Sequence, residues 1–150
     1  MNHIEIENTK DPLDILEEKY PIVFKNMLND SYNEIPAGWF NIVDKLCNDL
    51  TPLIEEELKN NCPEDGYPLT ILQIKEKFGG LRFYFQTHGK NEVFHKSVQR
   101  LVDMAEDESY NVCCTTGKPG KLCRKGGYYQ TMSEDVRLAQ GFKIVGNGNT

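Results

Sequence analysis

Apolar residues recur along this chain in two rhythms, and the rhythms divide it into elements. Between residues 40 and 59, Phe40, Val43, Cys47, Leu50, Ile54 and Leu58 fall at steps of three and four. That spacing lines one face of an α-helix. Asp44, Lys45, Asp49, Glu55, Glu56 and Lys59 fall mostly between them and take the wet face. A second stripe of Phe94, Val98, Leu101, Val102 and Ala105 predicts a helix from about Asn91 to Ser109. A shorter helix follows a polar arm of ten residues. Asp11 is its cap, Pro12 takes the first helical position, and Leu13, Leu16 and Tyr20 form the stripe. Pro21 interrupts that stripe. Val23, Phe24, Met27 and Leu28 restart it as far as Asn29-Asp30-Ser31.

Between the long helices the period changes to two. Leu69 to Phe85 reads as a β-hairpin that turns near Phe78-Gly79-Gly80. Alternation sends Leu72 and Ile74 to one face with Leu81, Phe83 and Phe85, and that face must meet the helices. The opposite face takes Gln73, Lys75 and Lys77 with Arg82, Tyr84 and Gln86, and Ile71 falls there as an apolar exception. Beyond Ser109 the chain is irregular, with glycine turns at Lys118-Pro119-Gly120 and Gly126-Gly127. Short strands are expected at Tyr128 to Met132 and Phe142 to Val145, and Gly146 to Thr150 reads as a frayed end. The fold class is therefore α+β in one domain, 1–150. Helices pack on a hairpin or small antiparallel sheet, and an irregular tail follows.

At 150 residues the chain can bury a core without disulfides or metals. Its five cysteines are odd in number and irregularly spaced, which does not suit a secreted disulfide framework. No apolar run is long enough to cross a membrane, and the polar, acidic start does not read as a signal peptide. The expected location is the cytoplasm. The net charge of −6 is uneven. Residues 1–66 carry 15 acids against 5 bases, whereas residues 67–150 carry 8 against 12. From Asn111 to Ser133 there is no acid, while Lys118, Lys121, Arg124 and Lys125 all fall there. An anion site in the second half fits this split. The overall acidity argues against tight binding of duplex nucleic acid.

The common catalytic signatures are absent: GxSxG, the P-loop, HExxH and the dinucleotide glycine fingerprint. Cys113, Cys114 and Cys123 lack the paired spacing of a zinc site. The chain is expected to bind, not to catalyse, and to need no cofactor. Two clusters combine cations with aromatic rings. One is Lys75, Lys77, Arg82 and Tyr84 on the hairpin. The other is Arg124, Lys125, Tyr128 and Tyr129 around Gly126-Gly127. Guanidinium and ammonium groups suit phosphates, and aromatic faces suit bases.

Several stretches resemble a widespread family of small phage and prophage proteins. They are Gly38-Trp39-Phe40 through Cys47, Gln73-Ile74-Lys75-Glu76-Lys77-Phe78-Gly79-Gly80-Leu81-Arg82-Phe83-Tyr84, Ala105 through Ser109, Gly117-Lys118-Pro119-Gly120, and Gly126-Gly127-Tyr128-Tyr129-Gln130-Thr131. The likeness covers roughly Gly38 to Ser133. Members of that family carry a zinc-ribbon-like tail with a CxxCG motif before the Pro-Gly turn. Here Cys113 fits the first position, Thr116 stands at the second, and Ser133 falls near a later one. The resemblance thus implies a degenerate zinc-ribbon-like tail without zinc. It also implies a phage accessory protein, similar to the anti-CBASS sponges that sequester cyclic dinucleotides such as cyclic GMP-AMP in oligomers. Such a ligand has approximate twofold symmetry, so two copies of one small domain grip it best, as a dimer or a tetramer. A degenerate zinc-ribbon-type module that binds nucleic acid or a host protein is the alternative.

Overall fold

In the computed structural model, residues 10–61 and 66–146 are described. All but Lys10 of the expected N-terminal arm, Cys62 and most of the expected frayed end lie outside them. Among the described residues five helices and two small antiparallel sheets follow in the order α1 (Pro12–Lys19), α2 (Pro21–Phe24), a 3₁₀ turn (Ala37–Trp39), α3 (Phe40–Asn60), β1 (Leu69–Lys77), β2 (Gly80–Thr87), α4 (Glu92–Ser109), β3 (Lys121–Lys125), β4 (Tyr128–Met132), α5 (Glu134–Gln140) and β5 (Lys143–Ile144). The first sheet is β1-β2 and the second runs β4-β3-β5. The class is α+β. Among the described residues no helix is long and apolar enough to cross a membrane.

The helix starts follow from local chemistry. Asp11 accepts a hydrogen bond from the Leu13 N–H, and Pro12 takes the first position. Asn91 accepts from the Val93 and Phe94 N–H groups. The stripe of α3 buries Val43, Cys47, Leu50 and Ile54, and the stripe of α4 buries Phe94, Val98, Val102 and Ala105. Both faces meet over the hairpin, whose contribution is Leu69, Ile71, Ile74, Leu81 and Phe83. Trp39 is fully buried beside them, and its indole N–H donates to the Val112 carbonyl at 2.8 Å.

Three sequence expectations are corrected. First, the strand alternation slips at Leu72. Ile71 pairs with Phe85 but Gln73 pairs with Tyr84, so Leu72 is an extra residue in a β-bulge. The bulge turns Ile71 onto the core face beside Ile74 and leaves Leu72 half-buried. Second, the helix expected to run on to Leu28 stops at Phe24. Met27 instead forms a parallel bridge with Ile71, and the Leu28 N–H donates to the Ile71 carbonyl at 3.0 Å. The open edge of β1 needs backbone partners, and this segment supplies them. Third, the tail holds the two expected strands, as β4 and β5, and two elements more. Lys121–Lys125 is a strand, and α5 runs from Ser133 as cap to a left-handed Gly141. Acids in the first turn and a glycine just past the end are its sequence signature.

The other edge of the hairpin is closed by α4. The Ser109 hydroxyl accepts from the Leu81 N–H at 2.9 Å, and Glu106 accepts from the Phe83 N–H at 2.9 Å. Both edges of the two-stranded sheet are thus covered, and its wet face is left to carry Lys75, Lys77, Arg82 and Tyr84.

Candidate functional site

Register fixes which hairpin side chains stand together. Lys75 pairs with Arg82, Gln73 with Tyr84, and Lys77 with Gly80. Residues paired across strands share a face, so Lys75, Lys77, Arg82 and Tyr84 lie on one surface. Two cations directly opposite each other repel. Among the described residues neither Lys75 nor Arg82 is in an ion pair. Arg82 donates through Nη1 to the Leu81 carbonyl and through Nη2 to the Tyr110 hydroxyl, each at 3.1 Å. Burial works against its charge, but the Tyr110 hydroxyl and nearby Glu106 outweigh it, and the pKa is raised. Its other N–H donors remain for a ligand. Burial raises the Glu106 carboxyl, and the Phe83 N–H and Arg82 pull against that rise.

The turn is two residues long, with Phe78 at φ 54° and Gly79 at φ 90°. Positive φ at both central residues matches the twist of a hairpin. A phenylalanine there is strained, because its Cβ crowds the following carbonyl. Phe78 is nonetheless 64% exposed, with the Lys77 ammonium 5.6 Å from its ring centre. The Glu76 carboxylate accepts the Gly79 N–H at 2.7 Å and steadies the turn. Gly80 has no space for a side chain, because the Tyr110 ring lies where a Cβ would go.

The hairpin tip docks on the second sheet. The Thr131 hydroxyl donates to the Gly79 carbonyl at 2.7 Å, and Leu122 closes on Gly79 from the same side. Leu122 and Thr131 are cross-strand partners, and the next pair on their face is Arg124 with Tyr129. Two residues along a strand is about 7 Å. Arg124 and Tyr129 therefore stand one such step along the sheet from the residues that hold Gly79. Lys125 and Tyr128 pair on the opposite face. The Lys125 ammonium donates to the Gln140 carbonyl at 2.9 Å and caps the C-terminal end of α5. Tyr128 is 77% exposed there.

The turn after α4 holds a separate polar cluster. The Cys113 N–H donates to the Lys118 carbonyl at 2.7 Å, and the Gly117 N–H donates back to the Cys113 carbonyl at 2.9 Å. Gly38 seats against this turn and donates to the Cys114 carbonyl at 2.9 Å. Cys113 is fully buried. Burial pushes its thiol up, but hydroxyl and backbone groups of Thr116 and Ser133 outweigh that and hold it at about 7. Burial raises the Cys114 and Cys123 thiols. At the positions where the resemblance implies zinc ligands, Cys113 is thus joined by two neutral hydroxyls. Hydroxyls are poor zinc donors, and among the described residues no three His, Cys, Asp or Glu side chains stand together to hold a metal. A zinc ion does not fit this donor set.

Sequence reading missed Phe78 and Tyr110. Phe78 was hidden inside a glycine turn, and its mark was a bulky residue placed where Asn or Asp usually precedes Gly. Tyr110 gave no sign, because only the fold lays it across Gly80. No family model matches the chain, no curated protein matches it, and no solved structure matches it.

Proposed function

We propose that this protein binds a cyclic dinucleotide, such as cyclic GMP-AMP, and holds it without cleaving it. The observation that carries the reading is the Lys75–Arg82 couple, in no ion pair among the described residues, on the hairpin face that also carries Tyr84. A phosphodiester placed between the two cations relieves their repulsion and takes charge-assisted hydrogen bonds. The exposed rings of Phe78 and Tyr84 offer stacking faces for bases. The Glu76 and Glu106 carboxylates are each engaged by a backbone N–H. One copy presents one such surface. A ligand with two phosphates and two bases is best enclosed by two copies, in a dimer or a dimer of dimers. The biological setting that fits is phage counter-defence in the host cytoplasm, by removal of an immune signal.

Calorimetric titration with cyclic GMP-AMP tests this. Arg82→Ala removes a charged hydrogen-bond donor, worth about 1.5–3 kcal/mol. Affinity is expected to fall roughly ten- to hundredfold, with the melting temperature little changed. Equal affinity in the variant sinks the proposed face. The alternative, a degenerate ribbon that binds nucleic acid or a host protein, draws on the Cys113–Gly117 turn. It predicts oligonucleotide binding that weakens steeply with salt.

A further inference from the structure

Strand β5 is two residues long, and its pairing sets Lys143 directly opposite Arg124. A ladder this short has little to offset repulsion between like charges. Its neighbouring tie is the Val145 N–H, which donates to the Leu122 carbonyl at 2.8 Å. Among the described residues, none of the ion pairs involves Arg124, Lys125 or Lys143. These three cations line a cleft of about 490 Å³ together with Gly126 and Gly141, and no acid lines it. Lys125 is turned to the Gln140 carbonyl, so Arg124 and Lys143 are the pair left facing each other. Gly126, at φ 62°, has no atom within 4 Å of where a side chain would begin, so the rim is open.

The geometry points to a phosphate site between Arg124 and Lys143, filled by the phosphate group of a small-molecule ligand. The guanidinium fork takes two phosphate oxygens and the ammonium takes a third. Tyr129 pairs with Arg124 from the other side, so Tyr129, Arg124 and Lys143 form one row across three strands. Adjacent strands are about 4.8 Å apart. A ring carried by the bound phosphate therefore reaches Tyr129, and the ligand class is a nucleoside phosphate. This inference rests on the tail being an anion surface. It does not rest on the ligand being a cyclic dinucleotide, and it adds Lys143, which the hairpin surface lacks. Binding ties β5 down, because the phosphate bridges it to β3.

The test is titration of the full chain with pyrophosphate at low ionic strength, followed by calorimetry and by amide exchange. Saturable binding is expected, weaker by about tenfold or more in Arg124→Met and in Lys143→Met. Ile144 and Val145 amides should gain protection with pyrophosphate. Without ligand, Lys143→Met should melt no lower than the parent, since it removes a repulsion. Lys143→Gln serves as a second variant should the methionine perturb the strand. Absence of saturable binding, or equal affinity in the Arg124 and Lys143 variants, overturns the site. So does a single-stranded oligonucleotide that displaces pyrophosphate at far lower phosphate concentration, which marks a nucleic-acid surface instead. Loss of pyrophosphate binding with cyclic GMP-AMP binding intact removes this site alone. The converse removes the cyclic-dinucleotide reading alone.

Discussion

Gly38 and Cys113 show how single residues hold the tail to the core. A Cβ at Gly38 would lie 2.0 Å from the Cys113 carbonyl oxygen and 2.7 Å from the Gly117 nitrogen, both backbone atoms. Backbone cannot swing aside as a side chain can. Gly38→Ala is therefore expected to cost about 1–3 kcal/mol or more, read from the denaturant midpoint. Gly127→Ala, where nothing lies within 4 Å, should stay within roughly 0.5 kcal/mol of the parent. Equal effects would contradict the docking of Gly38. Cys113 gives a pH signature. Folding lowers its thiol to about 7, so folding favours the thiolate. The stability this contributes is absent below pH 7, grows between the folded value and the ordinary thiol value of about 8.5, and is full above it. Thiolate absorbance, compared with Cys113→Ser, should show a midpoint near 7, and Ser133→Ala should move it upward. A midpoint near 8.5 in the parent would refute the hydroxyl cradle.

At the scale of elements, the hairpin is the part whose chemistry was most legible in the sequence. Its strands, its turn and the shared face of Lys75, Lys77, Arg82 and Tyr84 follow from period-two alternation. The bulge at Leu72 did not follow, because alternation cannot say where an extra residue enters. It is settled by which apolar side chain, Ile71 or Leu72, finds room under the helices. Strand β3 was illegible for another reason. Lys121, Arg124 and Lys125 are too polar to mark a strand, and only pairing on both sides makes them one. Two predictions belong here. Ser109→Ala leaves the buried Leu81 N–H without an acceptor and should cost about 1–3 kcal/mol, with hydrogen exchange rising first at Leu81. Phe78→Asn relieves the strain of a bulky residue at positive φ, so stability should hold or rise. Ligand affinity should fall, since base–aromatic stacking is worth about 1–3 kcal/mol. A stable variant with full affinity would show that Phe78 is no stacking platform.

Across the whole molecule, the charge split read from the sequence takes a definite shape. The acidic first half supplies α1 to α3, which cover the core, while the basic second half builds the hairpin face and the β4-β3-β5 sheet that meet at Gly79. That meeting could not be read from spacing, because the contact joins residues 52 positions apart. It sets the hairpin tip against the sheet that carries the tail cations, and the proposed binding of a twofold ligand predicts a symmetric assembly. Light scattering with cyclic GMP-AMP present should give a mass of at least two chains, and 17.2 kDa would mean a monomer. The most direct measurement of the central claim is capture and release. The protein is incubated with cyclic GMP-AMP, separated from free ligand, denatured by heat, and the supernatant is analysed by chromatography. Recovery of intact ligand in stoichiometric amount is the predicted result; altered ligand would mean an enzyme, and an empty supernatant would contradict binding itself.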